Sequence, residues 1–169
     1  MTRPPAEGAR RITLLALLTA IALTIFLVEA QLPVLIPIPG VKLGLANIVT
    51  VYAMFVLGPF DALLILCARV FLGAVFSGQM MTLLFSAGGG LLSWLVLLLL
   101  RRLLTPGQIW LGSSVAAVFH NLGQFLVAAA VLRSWAVMAW LPYLLAAGAA
   151  AGLFTGLCAQ FLIARLARR

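Results

Sequence analysis

Acidic side chains are almost missing from this sequence. Glu7, Glu29 and Asp61 are the three carboxylates in 169 residues. They are too few and too dispersed to build even one of the clustered carboxylate sites that hold magnesium on a diphosphate, because hard cations want several oxygen ligands together. Histidine occurs once, as His120, so no second imidazole completes a haem or transition-metal site, and neither a metal nor a cofactor is expected. The two cysteines, Cys67 and Cys158, fall inside apolar runs with no second ligand at metal spacing. They read as small buried hydrophobes, not as a bridge or a zinc site. A phosphate-cradling loop of the G-x-x-x-x-G-K type is also missing, so any ATP hydrolysis would belong to another subunit. Neither an internal repeat nor a soluble domain is visible.

What fills the sequence instead is hydrocarbon. Hydrophobic residues make up 65% and charged residues 8%, with a mean hydropathy of +1.23. Several apolar runs approach or exceed the ~18 to 20 residues needed to cross a hydrocarbon core ~30 Å thick. The expectation is an all-α integral membrane protein: a single six-helix domain over 12–164, between basic tails at 1–11 and 165–169. The spans fall at about 12–32, 43–58, 61–77, 80–100, 109–132 and 137–164. Turn chemistry separates them, in "LPVLIPIPG", "GPFD", "SGQ", "RRLLTPGQ" and "RSW". The second and third spans are short and need help from neighbouring helices or a thinned bilayer.

Lys and Arg near span ends resist translocation and collect on the cytoplasmic side. With both termini inside, Arg3, Arg10, Arg11, Arg101, Arg102, Arg165, Arg168 and Arg169 are cytoplasmic, and Lys42 and Arg133 lie in outer loops. The net charge of +8 is then topology plus attraction to anionic lipid, and requires no nucleic-acid partner. Arg10-Arg11, the apolar run and "VEA" at 28–30 also have the outline of a secretory signal. That run is longer than the ~7 to 15 residues of a signal core, so retention as a first span is expected.

Against this background the few polar residues inside the spans carry the information. Ser113, Ala116, Ala117, His120, Gln124 and Ala128 recur every three or four residues as one stripe, predicted to face protein. Leu111, Val115, Val118, Leu122, Phe125 and Ala129 form the stripe predicted to face lipid. Arg69 lies near the middle of the third span, where insertion scales charge an Arg about 2.5 to 3.5 kcal/mol, so it needs a partner or water. Its stripe of Ala62, Leu66, Gly73 and Ser77 is predicted to pack inward. Glu29, Asn47, Arg69, His120, Asn121 and Gln124 would then line one cavity open to the outer side. With Lys42 from the loop above, it would suit a ligand bearing a carboxylate or phosphate, with apolar walls for an aromatic or isoprenoid part. The plainer reading is that Glu29 and Arg69 pair, while His120, Asn121 and Gln124 are interhelical hydrogen-bond glue worth ~0.6 kcal/mol each.

Other spans carry packing patterns. Gly148, Gly152 and Gly156 repeat every fourth residue, and Ser86, Gly88, Gly89, Gly90 and Ser93 give the fourth span a small face. Ala16 and Ala20 form a weaker Ala-x-x-x-Ala step in the first span.

The run "PIPGVKLGLANIVTVYAMFVLGPFDALLILCARVFLG", with "SAGGGLLSWLV" and "AAVFHNLGQFLVA", resembles the bacterial membrane proteins labelled Gx transporter family or heptaprenyl diphosphate synthase component I. More distantly, "KLGLANIVTVYAMFVLGPFDALL" is similar to the S components of energy-coupling factor (ECF) transporters, which bind vitamins in a six-helix bundle. That resemblance implies a bacterial cytoplasmic membrane location. It also implies that Ala16 and Ala20 dock on a transmembrane coupling subunit, which works with ABC-type ATPases. Prenyl chain elongation needs the paired Asp-rich motifs that three carboxylates cannot supply, so the expectation is no enzyme activity. The expected function is capture of a small, partly anionic vitamin-, cofactor- or isoprenoid-related molecule, closed over by the stiff "LPVLIPIPGVK" loop. The alternative is a non-catalytic accessory protein of isoprenoid or quinone metabolism that binds a prenyl lipid or quinone. A self-assembling pore, associating through the Gly148, Gly152 and Gly156 face, would show a longer polar stripe.

Overall fold

A computed structural model of the chain describes residues 5–31, 44–78, 80–133 and 139–166, with side chains from residue 8 onward. Lys42, the Pro-rich loop before it, Arg3, Arg168 and Arg169 lie outside the described residues, as does the side chain of Glu7. The described chain is helical: α1 (Pro5–Gln31), α2 (Asn47–Val56), α3 (Pro59–Ser77), α4 (Met80–Leu100), α5 (Ile109–Leu132) and α6 (Leu141–Leu166). All except α2 are long and apolar enough to cross a membrane. The ten residues of α2 rise about 15 Å, roughly half of a hydrocarbon core.

Local chemistry sets these limits. Gly58 at φ +112° feeds Pro59 into the first turn of α3, where a missing N–H costs nothing. Gly78 at φ +65° ends the same helix in the left-handed conformation. Between α4 and α5, Thr105 and Gln108 cap a short 3-10 turn reciprocally. The second helix is shorter than the predicted 43–58 because Gly44 turns the chain at φ +77° before the helix begins.

The bundle is apolar outside and selectively polar inside. Phe71, Phe76, Leu99, Phe154 and Phe161 are exposed, whereas Glu29, Asn47, Arg69, His120 and Gln124 are buried, as suits a chain whose surroundings are lipid. Cys67 is exposed and Cys158 partly so, correcting the expectation of burial, since a small apolar side chain is equally comfortable facing lipid. α2 is interior and touches α1, α3, α4 and α6. Its Val49, Ala53 and Met54 share a core with Ala62, Ile65, Leu97 and Ala159.

α5 is clasped between α4 and α6. A Cβ added to Gly123 would stand 2.6 Å from the Gly88 carbonyl oxygen and 2.9 Å from Gly89 Cα, so the α4 and α5 backbones meet there. On the other side Gly148, Gly152 and Gly156 seat Asn121, Ala117, Ser113 and Trp110, which leaves that glycine face occupied and unavailable for self-association. Ser113 and Thr155 hydroxyls meet at 3.2 Å, Ser114 donates to the Ala149 carbonyl at 2.9 Å, and Asn121 Nδ2 donates to the Leu144 carbonyl at 2.6 Å. Two expectations change as a result. Asn121 faces α6, and Phe125, predicted toward lipid, is 3% exposed and packs on Leu144. A helix gripped on two sides keeps only a narrow lipid strip, here marked by Leu111 and Leu126.

Gly123→Ala is expected to lower the unfolding midpoint in detergent, in line with an overpacking cost of about 1 to 3 kcal/mol. Gly8→Ala, where nothing lies within 4 Å, leaves it unchanged or raised. Asn121→Ala is expected to cost about 0.6 to 1.7 kcal/mol, the value of an interhelical hydrogen bond in lipid. Thermal unfolding of the three variants side by side checks all of this.

Candidate functional site

The site grows from the beginning of α2. Near the end of α1, the two carboxylate oxygens of Glu29 accept the backbone N–H groups of Gly44 at 2.7 Å and Leu45 at 3.0 Å. The carboxylate therefore sits at the positive end of a helix that starts inside the protein. Gly44 is required twice over: its φ of +77° favours glycine, and a Cβ there would be 3.0 Å from Asn47 Nδ2 and 3.4 Å from His120 Nε2. Asn47 and His120 thus flank one point on the backbone, although they come from α2 and α5.

Arg69 enters from α3 and is 3% exposed. Its Nη2 donates to Asn47 Oδ1 at 3.4 Å, and the charge of Glu29 is close enough to act on it. The α3 stripe predicted to pack inward does so: Ala62, Leu66 and Gly73 are buried and Ser77 partly so, with Phe26 of α1 lying directly over Gly73. On α5, His120 and Gln124 converge on Gly89, where a Cβ would stand 3.1 Å from His120 Cε1 and 2.7 Å from Gln124 Cγ. The absence of a side chain on α4 is what admits both.

Buried side-chain polar atoms are normally hydrogen-bonded, and exceptions call for a reason. Here Asn47 Nδ2, Thr50 Oγ1, Arg69 Nε, His120 Nδ1, Asn121 Oδ1 and Gln124 Oε1 are buried without a hydrogen-bond partner in the protein. All but Thr50 are candidate site residues from the sequence. Thr50 lies one turn beyond Asn47 on the same face of α2, and that i, i+3 spacing was the signal available for it. Asn121 stands apart from the others, turned to α6 by its bond to Leu144. Ala16 and Ala20 are on the exposed side of α1, away from this site.

Among the described residues, the two carboxylates Glu29 and Asp61 are held at opposite ends of α1. Asp61, in the first turn of α3, is gripped by Arg11, whose Nε lies 3.1 and 3.2 Å from the two oxygens and whose Nη2 also donates to Oδ1. Arg11 and Glu29 are 18 residues apart on one helix, which at 1.5 Å per residue separates the Asp61 and Glu29 ends by about 27 Å. These two groups cannot share one cation. Among the described residues, no three His, Cys, Asp or Glu side chains gather where they would hold a metal ion.

No curated protein and no solved structure matches the chain. The family described as heptaprenyl diphosphate synthase component I matches residues 18–162, which take in every element of the site from Glu29 to Gln124. On that match, the chain belongs to the heptaprenyl diphosphate synthase component I family.

Proposed function

We propose that this family member is a substrate-capture membrane subunit of the ECF type. It would span the bacterial cytoplasmic membrane six times with α2 as the short span, have both termini inside, and bind a small molecule with a polar, partly anionic end. The observation that carries this reading is the set of buried, unpartnered polar atoms on Asn47, Thr50, Arg69, His120 and Gln124, drawn from three helices around the start of α2. Leaving such groups unmade costs about 1 to 3 kcal/mol each. A ligand that satisfies several of them at once would recover that cost as affinity. A half-length helix beginning at membrane depth beside irregular backbone is also an arrangement that transporters use at substrate sites.

Ala16 and Ala20, exposed on α1, would seat a coupling subunit served by ABC-type ATPases. The family description names a component of a synthase. The separation of Glu29 from Asp61 supports a non-catalytic role for this chain.

Arg69→Ala is expected to yield a folded, inserted protein that no longer retains a small molecule through purification, while Asn121→Ala retains it. Mass spectrometry of material released from the purified proteins, with circular dichroism as the check on folding, reads both. Undiminished retention by Arg69→Ala would remove the reading.

A further inference from the structure

The unpartnered atoms also describe what they would bind. We infer that the buried end of the ligand carries at most one negative charge and offers both hydrogen-bond donors and acceptors along one edge, as an amide or imide does, and that it is not a diphosphate. This rests on the capture reading above and narrows it.

Three observations lead there. First, the anion position at the start of α2 is already filled by the protein. Glu29 holds the Gly44 and Leu45 N–H groups, and the N–H groups of Asn47, Ile48 and Val49 turn back to the carbonyls of Gly44, Leu45 and Ala46. A ligand phosphate would find those donors spent.

Second, the charges of the described site cancel. Arg69, bonded to Asn47, is its one guanidinium, Glu29, bonded to the turn that leads into Asn47, is its one carboxylate, and the remaining members are neutral amides, a hydroxyl and an imidazole. A diphosphate brings two or more charges into surroundings where each unmatched charge is costly.

Third, the open atoms are of both kinds. Asn47 Nδ2 and Arg69 Nε are donors, Gln124 Oε1 is an acceptor, and Thr50 Oγ1 can act either way. An ionised diphosphate presents acceptors alone and can pair only with donors. An amide or imide edge meets both sets, and an apolar ring attached to it would meet the surrounding hydrocarbon.

The test uses the full-length protein in lipid nanodiscs, with the shift in thermal midpoint as readout. The probes are benzamide and phthalimide as donor–acceptor edges, with inorganic pyrophosphate and geranyl diphosphate as the polyanions, each up to 10 mM. Benzamide or phthalimide is expected to raise the midpoint, and both diphosphates to leave it unchanged. The rise is expected to require at least tenfold more probe in Thr50→Val and in Gln124→Met, both of which fill the same space without the polar atom. Stabilisation by either diphosphate would overturn the inference, and so would a panel in which neither donor–acceptor probe acts. In both cases retention of a small molecule by the purified wild type, and its loss in Arg69→Ala, would leave the capture reading standing. Absence of any retained molecule would end that reading separately.

Discussion

A guanidinium placed in the middle of a membrane helix has to be compensated by the protein around it, and much of this bundle is arranged about that requirement. Arg69 is buried at a depth where insertion alone costs about 2.5 to 3.5 kcal/mol. Glu29 supplies the opposing charge from α1 and Asn47 an acceptor from α2. Because Glu29 also ties down the turn ahead of α2, the same carboxylate fixes where that helix begins. The shortness of α2, the left-handed Gly44 and the inward placement of Asn47 and Thr50 follow from one arrangement.

Glycine makes the rest of it possible. Backbone contact of Gly123 with Gly88 and Gly89 brings α5 onto α4, and the Gly148, Gly152 and Gly156 row brings α6 onto α5. Without a hydrophobic force between helices in lipid, close approach and interhelical hydrogen bonds have to hold the bundle. The Ser113–Thr155, Ser114–Ala149 and Asn121–Leu144 bonds provide them. Polar side chains on α5 thus divide into two groups. Ser113, Ser114 and Asn121 Nδ2 bond to α6, while His120 and Gln124 pack on Gly89 of α4 and His120 also on Gly44.

Much of this was legible in the sequence, and the misses have definite causes. The helix limits at 80–100 and 109–132 match the structure because glycine, proline and capping residues mark them chemically. The inward turn of Arg69, His120 and Gln124 followed from the cost of polar groups in lipid. Asn121 Nδ2 bonds to α6 although its neighbour His120 faces α4, because one residue rotates a helix by about 100° and adjacency in sequence says little about direction. Phe125 was assigned to lipid on apolarity alone, a property that cannot distinguish lipid from the side of α6. Thr50 escaped notice because threonine is ordinary in an apolar run, and its importance rests on α2 being interior. The clasp between Arg11 and Asp61 joins residues 50 apart and has no local signature.

The family description names a component of heptaprenyl diphosphate synthase, while the function proposed above is capture of a small molecule by a membrane subunit. The two are compatible if this chain serves such metabolism by supplying a compound to it. The most direct test is mild-detergent purification of the tagged protein from its native membrane and identification of the subunits that remain attached. The capture account predicts a transmembrane coupling subunit together with ABC-type ATPases. Prenyl-transfer or redox enzymes recovered without any ATPase would contradict it and assign the chain an accessory role.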